Sequence, residues 1–182
     1  MKKYICLLRG INISGKNKIS MTELKKEFEL LNYSNVITYI NSGNIIFSSN
    51  IDDKTVVASS IEKMIINKFQ LNIPAFIITV PELEDILANV PKWWGTNDKN
   101  VYDNIIFIIS PYTCDEVYDT VGSPKEEYEK VEKYKNIIFW SYDLKNYRKT
   151  NWWSKTASVG VNNKVTIRTA NTVRKLLELA TK

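Results

Sequence analysis

The chain has 182 residues, of which 44% are hydrophobic, so it can bury the core of one domain or of two small ones. Its 25 basic and 20 acidic residues give a net charge of +5, which permits an anionic partner without requiring one. The sequence contains no histidine, which excludes Ser-His-Asp and Cys-His catalytic groups and histidine metal sites. Its two cysteines lack the CxxC spacing of a zinc site, and we therefore expect no metal and no cofactor.

The hydropathy of the sequence predicts a cytoplasmic protein without a membrane partner. No apolar run approaches the ~20 residues that a membrane helix needs. The basic start Met1-Lys2-Lys3 is followed by an apolar run that ends at Arg9, which is shorter than a secretory signal requires.

The first part of the chain predicts a β-α-β-β-α-β order with a trailing helix. Ser20 and Glu23 have the spacing of a helix capping box, and Asn41-Ser42-Gly43-Asn44 between two β-rich runs is typical of a tight hairpin. The predicted elements are strands at 4–8, 36–40, 45–48 and 75–80, and helices at 21–31, 56–69 and 83–90.

The second part predicts a similar order with weaker signals. Residues 147–159 are ambiguous, with a possible helix at 152–157. The other predicted elements are strands at 104–109, 128–134, 137–142 and 164–167, and helices at 115–121 and 173–180.

The two patterns together predict an α+β fold made of two ferredoxin-like (α-β plait) halves with mainly antiparallel sheets. We expect a first half at 1–90, a connector at 91–100, where PKWWGTNDKN changes the composition, and a second half at 101–182. The alternative is one mixed α+β domain with a longer continuous sheet.

Several segments resemble a bacterial family, the domain-of-unknown-function family 1697. They include LLRGINISGKNKIS, TYINSGNIIF, TIRTANTVRKLLEL, PKWWG and NWWSK. The resemblance covers essentially the whole chain and implies two ferredoxin-like halves, but no function. Ser14 replaces a glycine found in many members, and Thr169-Ala170 replaces Asn-Trp, so a role for that tryptophan does not carry over.

The loop from Arg9 to Lys18 has the composition of an anion-binding site. Arg9 offers a bidentate fork, Lys16 adds charge, and the two glycines allow N–H groups to converge at the start of a helix. Asn12 and Asn17 are further candidate ligands. The glycine spacing is that of a phosphate loop, but Asn17 stands where magnesium ligation needs Ser or Thr. The alternative is a structural loop in which Arg9 pairs with a carboxylate and the asparagines bind the loop backbone.

Two further segments contain candidate binding residues. Ser42 and Asn44 in the hairpin turn would add neutral donors if the turn lies beside the first loop, and otherwise they only form the turn. Arg168, Asn171 and Thr172 predict a second anion site, with Asn171 as the N-cap of the last helix. The alternative for these three is a plain helix cap with a surface salt bridge.

The aromatic residues and carboxylates permit other interpretations. The tryptophans could stack bases or sugars, or they could fill the core. Tyr4, Tyr39 and Phe47 only weakly match the exposed rings of an RNA recognition motif. Glu126, Glu127, Glu129 and Glu132 alternate with lysines and predict a solvated face, not an acid–base pair.

These patterns favour a protein that binds a small anionic ligand, a nucleotide or a phosphorylated metabolite. One alternative is an enzyme that uses a carboxylate, lysine or tyrosine in a cleft between the halves. The other is a nucleic-acid or protein interaction module that uses the sheet faces and tryptophans, with nucleic acid the less favoured partner.

Overall fold

The computed structural model describes residues 1–158 and 160–182. Position 159, at the end of the segment whose sequence is ambiguous, lies outside the described residues. Within them the strands are β1 (Lys2–Leu8), β2 (Ser34–Tyr39), β3 (Asn44–Ser49), β4 (Ala75–Thr79), β5 (Val101–Ile108), β6 (Glu129–Tyr134), β7 (Ile137–Asp143) and β8 (Val165–Thr169). The helices are α1 (Met21–Leu30), α2 (Lys54–Phe69), α3 (Val80–Ala88), α4 (Cys114–Val121), α5 (Trp152–Thr156) and α6 (Ala170–Thr181), with a 3-10 turn at Tyr147–Lys149.

The strands form two four-stranded antiparallel sheets with the same topology. Their orders are β2-β3-β1-β4 and β6-β7-β5-β8. In each sheet the first and third strands of the β-α-β-β-α-β unit are neighbours at the centre, which is the ferredoxin-like plan. The predicted α+β fold of two ferredoxin-like halves, each followed by an additional helix, is confirmed.

The backbone forms two compact units. One contains Met1–Glu84 with Lys175–Lys182, and the other contains Asp85–Arg174. The segment 91–100, expected as a connector, lies within the second unit, and the domain bounds expected from the sequence stay a prediction.

The core of the first unit lies between its sheet and helices α1 and α2. Because side chains alternate along a strand, Cys6 and Leu8 of β1 point into this core. Phe28 of α1 packs edge-on against Phe47 of β3, with ring centroids 5.4 Å apart. Leu7 is also buried although it lies on the opposite face of β1, so this central strand is buried on both faces.

The core of the second unit is richer in large aromatic residues. Trp140 of β7 and Trp152 of α5 are buried in one cluster with Val117 and Val121 of α4. The predicted short helix in the ambiguous segment is confirmed as α5. Among the described residues, no helix combines the length and apolar character needed to cross a membrane.

Candidate functional site

The loop between β1 and α1 folds back on itself through residues with positive φ. Gly10, Asn12, Ser14, Gly15 and Asn17 all have φ between 48° and 76°. Such values are inexpensive for glycine and tolerated by asparagine, which explains the composition of the loop. The loop is therefore an ordered turn in which backbone and side-chain bonds replace regular secondary structure.

The two asparagines of this loop are committed to the backbone. Asn12 donates through Nδ2 to the carbonyl oxygens of Ile19 and Asn41, at 2.9 Å each, and its Oδ1 accepts from the Ile19 N–H. Asn17 donates to the Gly10 carbonyl oxygen at 2.9 Å. Their amide N–H groups thus hold the loop together, and their predicted role as ligands stays a prediction.

The hairpin turn lies beside the loop, as the functional hypothesis requires. The bond from Asn12 to the Asn41 carbonyl joins the two segments directly. Asn44 is fully buried and donates to the Tyr39 carbonyl oxygen and to Ser42 Oγ, at 3.0 and 2.9 Å. Ser42 and Asn44 therefore fix the turn that supports the loop.

Arg9 is a cation in an unusual environment. Its N–H donates to the Pro74 carbonyl oxygen and so extends the pairing of β1 and β4 by one residue. The alternation of β1 places its side chain with Leu7, on the side of the sheet away from α1 and α2. The guanidinium is half-buried and has no hydrogen-bond or ion-pair partner among the described residues. Burial, without an opposing carboxylate, lowers the pKa of Arg9.

The loop also borders a shallow depression at the start of α1. Its volume is about 500 Å³, and its lining residues are Asn12, Gly15, Lys18, Ile19, Ser20, Met21 and Asn41. Lys16 and Lys18 are exposed, and neither has an acidic side chain within 4 Å in the part of the chain that the structure describes. Ser20 Oγ accepts from the Glu23 N–H, and the N–H groups of Met21 and Thr22, in the first turn, have no acceptor within the helix. Arg9 and Lys16 do not line this depression.

The second predicted anion site differs from the expectation. Asn171 is not the N-cap of α6, because the helix begins at Ala170 and Thr169 Oγ1 accepts from the Thr172 N–H at 3.3 Å. Thr172 Oγ1 lies 3.0 Å from Thr169 Oγ1. Arg168 is buried and donates to Thr166 Oγ1 and to the Ile167 carbonyl oxygen. Arg9 and Arg168 belong to different compact units.

A cavity of about 320 Å³ adjoins the start of α6 in the second unit, and Asn171 is in its wall. Asp98 and Asp103 also line it, together with Lys99. Because two carboxylates and one lysine give this wall a net negative charge, the cavity repels an anion. This cavity therefore gives no support to the second anion site.

The tryptophans include three core residues and one exposed ring. Trp94, Trp140 and Trp152 are buried, and their indole N–H groups donate to the Asn104 carbonyl oxygen, Glu129 Oε2 and the Gly122 carbonyl oxygen. Trp153 is 43% exposed. Tyr4 and Phe47 are buried and stacked on each other in the core, so neither is a platform for RNA bases.

Glu129 is a buried, hydrogen-bonded carboxylate that the sequence pattern assigned to a solvated face. Instead of facing solvent, it is 2% exposed. It accepts hydrogen bonds from the N–H groups of Lys125, Asn151 and Trp152 and from the Trp140 indole. The carboxylate thereby fastens the start of α5 to β6 and β7. No signal in the alternating segment EEYEKVEK distinguishes it from its exposed neighbours.

The carboxyl groups whose pKa values are shifted take part in ion pairs, helix caps and turns. Each has a lowered pKa because of lysine partners or N–H and O–H donors: Glu82, Asp85, Glu116, Asp143 and Glu178. A general acid needs the opposite shift. No group of three or more acidic or cysteine side chains that could hold a metal ion occurs within residues 1–158 and 160–182.

Comparison with known proteins identifies a family model and similar solved structures. The family model, described as "Protein of unknown function (DUF1697)", matches residues 1–139. The chain is similar to the conserved bacterial protein SP0830 from Streptococcus pneumoniae, with 31% sequence identity, 98% of each chain covered and a TM-score of 0.86.

A weaker match is to the first two RRM domains of the yeast poly(U) binding protein Pub1. It has 8% identity and a TM-score of 0.24, over 91% of this chain and 98% of that one. This likeness is too low to support any conclusion about fold or function. No match was found among the curated proteins.

Proposed function

This chain belongs to the DUF1697 family of proteins of unknown function, and we propose that it binds a small anionic ligand, a nucleotide or a phosphorylated metabolite, through the loop that follows β1. The main observation behind this proposal is the environment of the Arg9 guanidinium. A half-buried cation without a partner loses hydration without gaining an ion pair, which is unfavourable for the folded protein. An anion that approaches the Arg9 fork would supply the missing interaction and a bidentate geometry.

The surroundings of Arg9 favour a negatively charged ligand. The sequence from residue 9 to residue 22 contains no Asp or Glu, whereas Lys16 and Lys18 are exposed without an acidic partner among the described residues. The N–H groups at the start of α1 add a positive dipole end to the neighbouring depression that Lys18 lines, and not to Arg9 itself. Because the hydrogen bonds of Asn12 already order the loop, ligand binding would cost little further conformational entropy.

We further infer that the protein acts in the bacterial cytoplasm. Cys6 and Cys114 are both free and buried. Free thiols are typical of compartments kept reducing, and the similar protein SP0830 is bacterial.

The test is a thermal-shift screen of the purified protein with nucleotides, sugar phosphates, sulfate and citrate. A ligand present at about 100 times its dissociation constant should stabilise the protein by ~2.7 kcal/mol, which for a chain of this size raises Tm by about 5–10 °C. Arg9→Ala should abolish the shift, and Arg9→Lys should retain part of it, because lysine keeps the charge but loses the fork. Lys26→Ala, an exposed lysine on α1, is the matched control and should leave the shift unchanged.

A second measurement, Tm of the ligand-free protein, does not depend on which ligands the screen contains. If Arg9 is kept for binding at the expense of stability, Arg9→Met should leave Tm of the ligand-free protein unchanged or raise it. A clear fall in Tm would instead assign Arg9 a structural role. A ligand shift that survives Arg9→Ala, or the lack of any shift from the panel, would contradict the proposed site.

A further inference from the structure

The excess positive charge of this protein is concentrated in one stretch of sequence. Residues 144–177 contain eight Lys and Arg residues and no Asp or Glu. Since the whole chain has a net charge of +5, the other 148 residues together carry −3. The segment of this stretch between β7 and β8 also contains Tyr147, Trp152 and Trp153, so aromatic rings and cations alternate there.

The fold brings these side chains together on the surface of the second unit. The exposed Trp153 ring packs edge-on against Tyr147, with centroids 4.8 Å apart. The Arg148 guanidinium lies 5.5 Å from the centre of the Tyr147 ring, and its Nε donates to the Tyr147 hydroxyl at 2.9 Å. Lys149 Nζ lies 5.1 Å from the centre of the Tyr128 ring. We call this surface the Trp153 patch; its members are Tyr128, Tyr147, Arg148, Lys149 and Trp153.

The cations of the Trp153 patch are not neutralised by salt bridges. Arg148 and Lys149 are exposed, and neither has an acidic side chain within 4 Å among the residues with described positions. Two acids lie close to the patch along the chain, and one of them, Glu127, has the patch member Tyr128 as its partner. Asp143 accepts from the Lys145 N–H and from Asn146 Nδ2, while Glu127 hydrogen-bonds to Tyr128 and raises its pKa. The patch therefore presents two unpaired positive charges beside an accessible indole.

The backbone beneath the patch is fixed before any partner binds. The Trp153 N–H donates to Thr150 Oγ1 at 3.3 Å. The adjacent N–H groups of Asn151 and Trp152 donate to the buried carboxylate of Glu129. An exposed aromatic ring on an anchored backbone loses little conformational entropy on binding.

We propose that the Trp153 patch binds a single-stranded nucleic acid, with a base stacked on Trp153 and backbone phosphates paired with Arg148 and Lys149. The combination of a π surface with two cations that no described carboxylate pairs with matches a polymer that has a flat base and a phosphate in every unit. A duplex does not match it, because its bases are stacked inside. The phosphate and base chemistry is common to RNA and DNA, and both are included in the test.

The experiment is fluorescence anisotropy with labelled 15-mers of thymidine and of uridine, at several salt concentrations from 50 mM. Wild-type protein should bind at least one of them, and log K should fall linearly with log[salt]. Trp153→Ala should weaken binding about 5- to 150-fold, the loss of one base stack, and Trp153→Phe should weaken it less. Arg148→Ala and Lys149→Ala should each lower the salt slope by about 0.7, the value for one phosphate contact on a single strand.

The controls separate this surface from the proposed anion site. Lys26→Ala removes an exposed lysine of the first unit and should bind as the wild type does. Arg9→Ala should likewise retain oligonucleotide binding, so failure of the anion proposal would leave this one standing. The lack of binding at 50 mM salt, equal affinity for a blunt duplex, or unchanged affinity in both Trp153→Ala and Arg148→Ala would overturn the proposal.

Discussion

Asn12 and Arg9 lie in the same loop and have opposite relations to their surroundings. Asn12 forms three hydrogen bonds to backbone groups, and these make the loop rigid. Arg9 has no partner for its guanidinium among the described residues, and its burial disfavours the charged form. This contrast between an ordered loop and an uncompensated cation is the observation behind the proposed anion site.

Gly43 gives a prediction that separates backbone conformation from packing. Gly43 and Gly15 have nearly equal φ values, +77° and +76°. A Cβ added at Gly43 would lie 2.7 Å from Leu8 Cβ, whereas one at Gly15 would have no atom within 4 Å. Both alanine variants force a left-handed conformation that costs about 1–2 kcal/mol, but only Gly43→Ala also pushes the hairpin turn away from β1.

We therefore expect Gly43→Ala to lower the free energy of unfolding by at least about 1 kcal/mol more than Gly15→Ala. Urea denaturation of the two variants and the wild type measures the difference. Gly15→Ala is the control because it changes the same atoms at the same φ. Equal losses in the two variants would mean that the turn can move away from Leu8 without cost.

Single residues were also where sequence reasoning was least accurate. Asn171 was expected to cap α6, but Thr169, two residues earlier, performs this role. Both residue types cap helices well, so the choice depends on where β8 ends, and strand ends are not encoded in the period of hydrophobicity. The burial of Glu129 depends on N–H groups from residues up to 23 positions away, and a local pattern has no access to them.

The regular elements were predicted much better than the individual side chains. Period-2 and helical patterns reflect burial of one face, and burial is what forms β1, α1, the β2–β3 hairpin and α2. The weaker elements of the second unit, α4 and α5, have 8 and 5 residues, which is too few for a clear helical period. Their ends are set by single contacts, the capping box of Thr113 and Glu116 in α4 and the Glu129 carboxylate at α5.

Helix α4 supplies a prediction about pH. Cys114, its first residue, is buried, and its Sγ lies 3.4 Å from the carbonyl oxygens of Lys135 and Ile137. Burial raises the pKa of the thiol from 9.0 to about 11. Between pH 9 and 11 the unfolded chain loses this proton while the folded protein keeps it, so the free energy of unfolding falls as pH rises.

The measurement is urea denaturation at pH 8 and pH 10.5 for the wild type and Cys114→Ser. Serine keeps a hydroxyl donor for the two carbonyl groups but does not titrate in this range. Other groups titrate equally in both proteins, so the wild type should lose on the order of 1–2 kcal/mol more than the variant over this interval. Parallel losses would show that the Cys114 thiol is not shielded from water.

At the scale of the whole molecule, two similar units differ in what their surfaces carry. The first unit holds the ordered loop with Arg9, and the second holds the Trp153 patch with most of the acid-free basic stretch. The topology of both units was predicted from the sequence, because β-α-β-β-α-β order strongly limits the arrangement of strands. The grouping of the chain end is not visible in a local pattern, since α6 begins in the second unit and its residues 175–182 group with the first.

The grouping of residues 175–182 with the first unit leads to a prediction about truncation. Leu176 and Ala180 in the last part of α6 are 1% and 2% exposed, and the Ala180 carbonyl oxygen accepts from Lys3 Nζ at 2.6 Å. Deletion of residues 175–182 removes this burial and this bond. We expect the free energy of unfolding to fall by roughly 2–4 kcal/mol, mostly from the lost burial of Leu176.

Hydrogen exchange followed by mass spectrometry shows where the loss falls. Because residues 175–182 group with the first unit, the amides of β1 should lose protection to a greater extent than those of β5, which serves as the internal reference. Deletion of the exposed Lys182 alone is the matched control and should leave both strands protected. If β5 loses as much protection as β1, the end of α6 stabilises both units, and the division of the chain at Arg174 does not describe its unfolding.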